Sequence, residues 1–255
     1  MNIYNSHEKN ELGLLQAYLK KDPRIFTYGQ TGDISKELHS FVPNLRQCDS
    51  PDMYAIVGDT LFILEHFAFD ASHESKNGGM EQLKKDRTAK AQMNIGLKQG
   101  KEEVTVLERV GVKLSFFDWQ LNFENHFNSH YAKISKYIEN ANNEVKKNIP
   151  CRCLKVNYHK VGFFVEEASP PIVNIGKKLR ELNYFETKQF LDFFSAKTLV
   201  DFILFGTYRD GHSQLIYVDH AHSIDIIHAV DLQSDDVSMS HINQNEISYN
   251  SAFQI

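Results

Sequence analysis

The clearest pattern along the chain is a pair of apolar runs separated by a two-residue turn. Met53–Val57 and Thr60–Phe69 flank Gly58-Asp59, and this arrangement predicts a β-hairpin. The second run, TLFILEHFAF, is apolar at both odd and even positions. Because a surface strand is usually apolar on one face only, we expect this strand to lie centrally in a sheet that is covered on both sides.

Apolar residues spaced three and four apart predict the helices. One short helix is expected at 11–19 and ends before Asp22-Pro23. The stretch 121–148 carries a continuous apolar stripe, which predicts one long helix of about seven turns that stops before Pro150. The other predicted helices lie at about 33–42, 80–97, 175–182 and 187–194.

The remaining apolar runs predict strands and, with the helices, define the fold class. They lie at about 104–114, 153–156, 161–165, 200–208 and 213–218, and the last two form a second predicted hairpin. This order of elements predicts a mixed α/β (α+β) fold in which a central mixed β-sheet is flanked by helices. We expect a single domain over 1–232, followed by a polar and loosely held tail over 233–255.

Bulk composition narrows the class of protein. Hydrophobic residues make up 42% of the 255 residues and charged residues 24%, which is the balance of a folded globular chain. The sequence has no apolar run of membrane-spanning length and no signal-like start, so we expect no membrane association and a cytoplasmic location. Three cysteines are too few for a disulfide framework. A net charge of −5 argues against a protein whose whole surface is positively charged for non-specific binding of nucleic acid.

The predicted hairpin places two carboxylates side by side. If Val57 pairs with Thr60 across the turn, Asp52 lies opposite Glu65, with Cβ atoms about 5 Å apart. Two like charges in apolar surroundings cost several kcal/mol unless something compensates them, and a bound Mg²⁺ or Mn²⁺ is a suitable compensator. Alternatively, Asp52 is an ordinary turn residue and Glu65 pairs with a basic residue from a neighbouring helix.

These residues resemble the core of the PD-(D/E)XK nuclease superfamily. The similarity consists of Ser50-Pro51-Asp52, the hairpin, and then Ile63-Leu64-Glu65-His66-Phe67, with a helix carrying Glu37 before them and another helix after them. It implies a restriction-endonuclease-like core. It also implies that Asp52 and Glu65 bind Mg²⁺ or Mn²⁺, with Glu37 as a third acid.

The chain departs from that superfamily at one position. Phe67 stands where the family has its lysine, and phenylalanine carries neither charge nor a transferable proton. Either a lysine from the following helix fills this role, or the site is not catalytic. Lys84, Lys85 and Lys90 are the candidates on that helix.

Several other polar groups are candidates for this site or for a separate metal site. His66 faces away from Glu65 by the period of two along a strand, which predicts a buried histidine hydrogen-bonded outside the site. Glu166 or Glu167 ends a strand and either adds a metal ligand or marks a solvated strand end. Two further pairs of histidines were considered as zinc ligands: His126 with His130, and His220 with His222 beside Asp225.

Three functional hypotheses follow. The leading one is a metal-dependent endonuclease-like protein that hydrolyses nucleic-acid phosphodiester bonds. In it Asp52 and Glu65 hold the metal, Glu37 or Glu166 assists, and Lys84 or Lys85 stabilises the attacked phosphate. Basic residues on the predicted 80–97 helix and at 146–155 can hold a phosphate backbone, unless they form solvated helix faces. The alternatives are a non-catalytic binding protein with a nuclease-like fold, and a zinc hydrolase built on His220, His222 and Asp225.

Overall fold

The computed structural model describes most of the chain in separate segments. The described residues are 11–21, 24–27, 38, 40–69, 103–112, 116–148, 156–167, 172–175, 178–181, 183–209, 212–220 and 241–250. They belong to two compact units, the first drawn from 1–68, 124–167 and 184–231, and the second from 69–123, 168–183 and 232–255. The expected division into a domain over 1–232 and a tail over 233–255 stays a prediction.

Four α-helices and eleven strands are present in the described segments. The helices are α1 (Glu11–Lys21), α2 (Phe116–Tyr131), α3 (Ile134–Asn148) and α4 (Lys188–Ser195), with 3₁₀ turns at Val42–Asn44 and Tyr184–Glu186. The strands are β1 (Ile25–Thr27), β2 (Arg46–Gln47), β3 (Met53–Val57), β4 (Thr60–Phe69), β5 (Glu103–Val112), β6 (Tyr158–Glu167), β7 (Ile172–Ile175), β8 (Lys178–Glu181), β9 (Phe202–Arg209), β10 (His212–Asp219) and β11 (His241–Asn250).

Seven of these strands form one mixed sheet in the first unit. Their order is β1-β10-β9-β6-β4-β3-β2. Strand β1 runs parallel to β10 and β6 runs parallel to β9, whereas the pairs β9–β10, β3–β4 and β2–β3 are antiparallel. The remaining strands form two-stranded pairs, β5 with β11 and β7 with β8. The predicted mixed α+β class with a central mixed sheet is therefore confirmed.

The hairpin of β3 and β4 has the predicted register. Val57 pairs with Thr60 and Met53 pairs with Leu64. Gly58 occupies the turn with φ 62°, a left-handed conformation that glycine adopts without strain. Strand β4 lies between β3 and β6 inside the sheet, as its apolar sequence on both faces predicted.

Aromatic residues cover both faces of this sheet. On one face, Phe41 stacks on Phe62 of β4 with ring centroids 4.6 Å apart, and Leu15 of α1 belongs to the same buried cluster. On the other face, Phe127 of α2 meets Phe163 of β6 edge-on at 4.8 Å. Even-numbered residues of β4 therefore face α1, and odd-numbered residues face α2 and α3.

The single long helix expected at 121–148 is wrong in its continuity, because α2 and α3 are separated at Ala132 and Lys133. The Ala132 N–H donates to the Asn128 carbonyl at 3.1 Å, and the Lys133 N–H donates to the His130 carbonyl at 2.9 Å. The hydrogen bonds thus shorten from four-residue to three-residue spacing, which ends α2. The apolar stripe continues across this turn, so periodicity gave no sign of the break.

The other sequence expectations have mixed outcomes. Helices at 11–19 and 187–194, the strand at 161–165 and the hairpin of β9 and β10 are confirmed. The helix expected at 175–182 is wrong, since β7 and β8 pair there as a hairpin. The helix at 80–97 and residues 153–155 of the expected 153–156 strand lie outside the described residues. No helix within the described segments is long and apolar enough to span a bilayer.

Candidate functional site

Asp52 immediately precedes β3 and is held by main-chain hydrogen bonds. The Cys48 N–H donates to the Asp52 carbonyl at 2.9 Å, which closes the loop before the strand. The Asp52 N–H donates to Glu65 Oε2 at 3.2 Å, and the His66 N–H donates to Asp52 Oδ2 at 2.8 Å. The hairpin register therefore brings Asp52 beside Glu65, as the sequence predicted.

Helix α1 supplies a second carboxylate at this place. Glu11 is its first residue, and Gln47 of β2 binds this end of the helix in two ways. The Gln47 amide donates to Glu11 Oε2 at 2.5 Å and accepts from the Leu12 N–H at 2.9 Å. This clamp fixes the Glu11 side chain, which is buried together with that of Asp52.

His66 completes a group of three possible metal ligands. One ligand atom from each of Glu11, Asp52 and His66 lies within 4.8 Å of the others. The His66 ring packs against Phe164 with centroids 5.1 Å apart. Its Nε2 is buried without a hydrogen-bond partner among the described residues, and Glu166 Oε2 lies 3.8 Å away.

The predicted direction of the His66 side chain is confirmed, but its ring lies near Asp52 and its Nε2 has no hydrogen-bond partner among the described residues. Its side chain does point away from the face on which Glu65 meets α2 and α3. However, the Asp52 carboxylate accepts the His66 main-chain N–H, and main-chain N–H groups lie in the plane of the sheet, between its two faces. From that position the Asp52 carboxylate is near the His66 side of the strand.

Burial and charge perturb the Asp52 carboxyl. Burial and then the Glu65 charge raise the pKa of Asp52 from its ordinary 3.8 to about 6, although the hydrogen bond from His66 opposes both effects. A carboxyl group with this pKa is mostly ionised at neutral pH, so its buried charge costs stability unless a cation compensates it. The buried carboxylates and the unpaired His66 Nε2 together fit a divalent cation.

The donor types discriminate between cations. Two carboxylates suit Mg²⁺ and Mn²⁺ alike, but an imidazole nitrogen suits Mn²⁺ or Zn²⁺ better than Mg²⁺, which prefers oxygen ligands. Of the two ions that the sequence suggested, the group of Glu11, Asp52 and His66 favours Mn²⁺.

Glu65 is engaged on the opposite face of β4. His130 Nδ1 lies 3.2 Å from Glu65 Oε1 and 3.2 Å from the Tyr137 hydroxyl. Burial and the hydrogen bond to Glu65 raise the pKa of Tyr137 above its ordinary value. Because its two oxygens already meet the Asp52 N–H, His130 and Tyr137, Glu65 anchors Asp52 and lies outside the group of three ligands.

Phe67 belongs to an aromatic cluster. It is 5% exposed and stacks on His130 with centroids 5.1 Å apart. It also meets Phe163 and Phe127 edge-on at 5.8 and 6.5 Å. Glu37, Lys84 and Lys85, which the sequence suggested as partners of this site, lie outside the described residues.

The remaining candidates occupy other positions. Glu166 was expected to share the Glu65 side of the sheet, but it approaches His66 instead, because both follow the same alternation as Phe164. His220 Nε2 lies 2.8 Å from the Val200 carbonyl and its ring stacks on Phe194 at 4.3 Å. The other members of that expected zinc group, His222 and Asp225, lie outside the described residues.

No family model, curated protein or solved structure matches this chain. Function is therefore inferred from the chemistry of the residues that the fold brings together.

Proposed function

We propose that this protein is a divalent-cation-dependent hydrolase of nucleic-acid phosphodiester bonds, with a restriction-endonuclease-like core. The cation is held by Glu11, Asp52 and His66. The observation that carries this proposal is the meeting of their ligand atoms within 4.8 Å. The unpaired, buried Nε2 of His66 supports it, because an imidazole nitrogen buried without a partner is costly.

Each residue has a distinct part in the proposal. Asp52 and Glu11 provide the negative charge, and the Gln47 clamp keeps Glu11 in place. Glu65 fixes the main chain of Asp52, because its carboxylate accepts a hydrogen bond from the Asp52 N–H. The bound cation supplies Lewis acidity and lowers the pKa of a coordinated water, as in other metal-dependent hydrolases.

The nuclease-like core is supported by the hairpin and by the origin of its acids. Asp52 precedes β3, Glu65 lies beside it on β4, and a preceding helix brings a further carboxylate to Asp52. That carboxylate is Glu11 of α1. The sequence pointed to Glu37 for this part.

A second candidate function is non-catalytic binding by a nuclease-like fold. The observation that favours it is Phe67, which fills the family's lysine position with a buried aromatic ring stacked on His130. In this second candidate, the site lacks a cationic group at the Phe67 position, and it binds a metal cation and a phosphate group without cleaving the phosphodiester bond.

Cation binding is the first test. Titration calorimetry with Mn²⁺, Zn²⁺ and Mg²⁺ should show tighter binding of the first two to the wild-type protein. Asp52→Asn should abolish binding, and His66→Gln should remove the preference over Mg²⁺. The matched control is Asp192→Asn, because Asp192 is exposed on α4. Equal binding by Asp52→Asn and wild type contradicts the site.

Cleavage separates the two candidate functions. With Mn²⁺, wild type and Asp192→Asn should cut labelled oligonucleotides, whereas Asp52→Asn and Glu11→Gln should not. Cation binding through Asp52 without cleavage of single- or double-stranded substrates would favour the binding protein. Cleavage that survives Asp52→Asn would exclude the proposed catalytic site.

A further inference from the structure

A polar groove lies between the loop that precedes Asp52 and helix α3, the helix that packs on the Glu65 face of the sheet. It has a volume of about 460 Å³. Its loop wall includes Ser50, which lies two residues before Asp52 in the chain. The groove is lined by Asp49, Ser50, Asn140, Asn143, Glu144, Lys146 and Lys147.

Only some of the charged side chains in this groove are paired with one another. Lys147 Nζ lies 2.7 Å from Glu144 Oε1, and this contact lowers the pKa of Glu144 and raises that of Lys147. The Asp49 carboxylate also raises the pKa of Lys147. Lys146 has no polar partner among the described residues, so it is the cation that remains available to a ligand.

The four asparagines of α3 also differ in whether their side chains form hydrogen bonds. Asn142 donates to the Ile138 carbonyl at 2.8 Å and approaches His159, and Asn148 donates to Tyr54 and Glu144. The other two, Asn140 and Asn143, line the groove and form no side-chain hydrogen bond within the described part of the chain. Two amides with free donors and acceptors thus face the same space as Lys146.

We propose that this groove binds one unpaired nucleotide of a single-stranded nucleic acid. This inference rests on the proposed function. Lys146 contacts a phosphate, and Asn140 and Asn143 bind the edge of a base. The hydrogen-bonding edge of a base is accessible when the base is unpaired. The groove volume of about 460 Å³ is that of a small-ligand site.

The test measures binding directly and without cleavage. Fluorescence anisotropy in EDTA measures the affinity of the full chain for a labelled single-stranded oligonucleotide and, for comparison, for its duplex. Wild type should bind the single strand more tightly. Lys146→Glu should weaken that binding by about 5- to 10-fold, as expected for loss and reversal of one phosphate contact. The double variant Asn140→Ala/Asn143→Ala should weaken single-strand binding about 5-fold and leave duplex binding unchanged.

Two controls match these variants in residue type. Lys20→Glu reverses a charge on the exposed side of α1, and Asn142→Ala removes an α3 amide that is committed elsewhere. Both should bind like wild type. Absence of single-strand binding, duplex binding as tight as single-strand binding, or equal weakening by the controls overturns the groove assignment.

The outcomes also separate this inference from the proposed function. If Lys146→Glu weakens binding while wild type with Mn²⁺ cleaves nothing, the groove stands and the hydrolase proposal fails. If Mn²⁺-dependent cleavage requires Asp52 but Lys146→Glu changes neither the dissociation constant nor KM, the hydrolase proposal stands and the groove assignment fails.

Discussion

Replacement of Asp52 by asparagine should stabilise the cation-free protein at neutral pH. The side chain is 5% exposed, and burial followed by the Glu65 charge raises its pKa from 3.8 to about 6. A pKa difference of about 2 corresponds to roughly 3 kcal/mol of destabilisation when the group is ionised in the fold. Asparagine has nearly the same shape and keeps an oxygen for the His66 N–H, although a neutral acceptor costs about 1 kcal/mol.

The sign of the pH dependence follows from the raised pKa. The folded protein holds the Asp52 proton more tightly than the unfolded chain does, so this group destabilises the fold as pH rises from about 4. The loss is complete slightly above pH 6. Asp52→Asn removes that loss, and its net gain of about 2 kcal/mol above pH 7 should raise Tm by about 4–8 °C.

Urea denaturation in EDTA at pH 4 and pH 8 measures this difference. The gain should be small or absent at pH 4 and present at pH 8, and Asp192→Asn should behave like wild type at both. A saturating concentration of Mn²⁺ should stabilise wild type at pH 8 and not Asp52→Asn. A variant that is less stable than wild type at pH 8 in EDTA would refute the reasoning, because burial of an uncompensated charge would not then be the dominant effect at Asp52.

Three further substitutions test other contacts. Glu65→Gln places an amide donor against existing donors and should lower stability by about 1–3 kcal/mol in urea denaturation, with loss of cleavage as Asp52 loses its anchor. Equal stability would contradict the anchoring role. Gly162→Ala puts a Cβ into the Phe202 ring and should cost about 1–3 kcal/mol; an unchanged Tm would show that the ring shifts freely. Thr187→Ala removes the α4 N-cap and should cost about 1 kcal/mol in urea denaturation, whereas a cost near zero would show a dispensable cap.

Local signals made the hairpin predictable. A two-residue turn between apolar runs fixes both the strands and their register, and the register alone placed Asp52 beside Glu65. The break between α2 and α3 left no such signal, because three-residue spacing at the turn keeps the apolar stripe in phase. The β7–β8 hairpin had no distinctive signal, because the apolar residues of two short strands separated by two residues also fit the spacing of a helix.

The candidate site was only partly visible in the sequence. Glu11 reaches Asp52 through the packing of α1 and the Gln47 clamp, contacts that join residues far apart in the chain. An acidic residue at the first position of a predicted helix was the available signal, and it is a common one. His66 was excluded by strand alternation, which predicts the direction of its side chain and takes no account of where a carboxylate at the strand end can reach.

Asp52 and Glu65 are neighbouring carboxylates, but they differ in how many hydrogen-bond donors surround them. Glu65 has protein donors for both oxygens, namely the Asp52 N–H on one and His130 and Tyr137 around the other. Among the described residues, the Asp52 carboxylate has one donor, the His66 N–H, and it lies near a second carboxylate and an imidazole nitrogen that has no hydrogen-bond partner there. A carboxylate with sufficient donors stabilises its surroundings without a cation, whereas a buried carboxylate beside another one requires positive charge. This difference is the reason for proposing a cation between Asp52, Glu11 and His66, with Glu65 supporting that site from the other face of the strand.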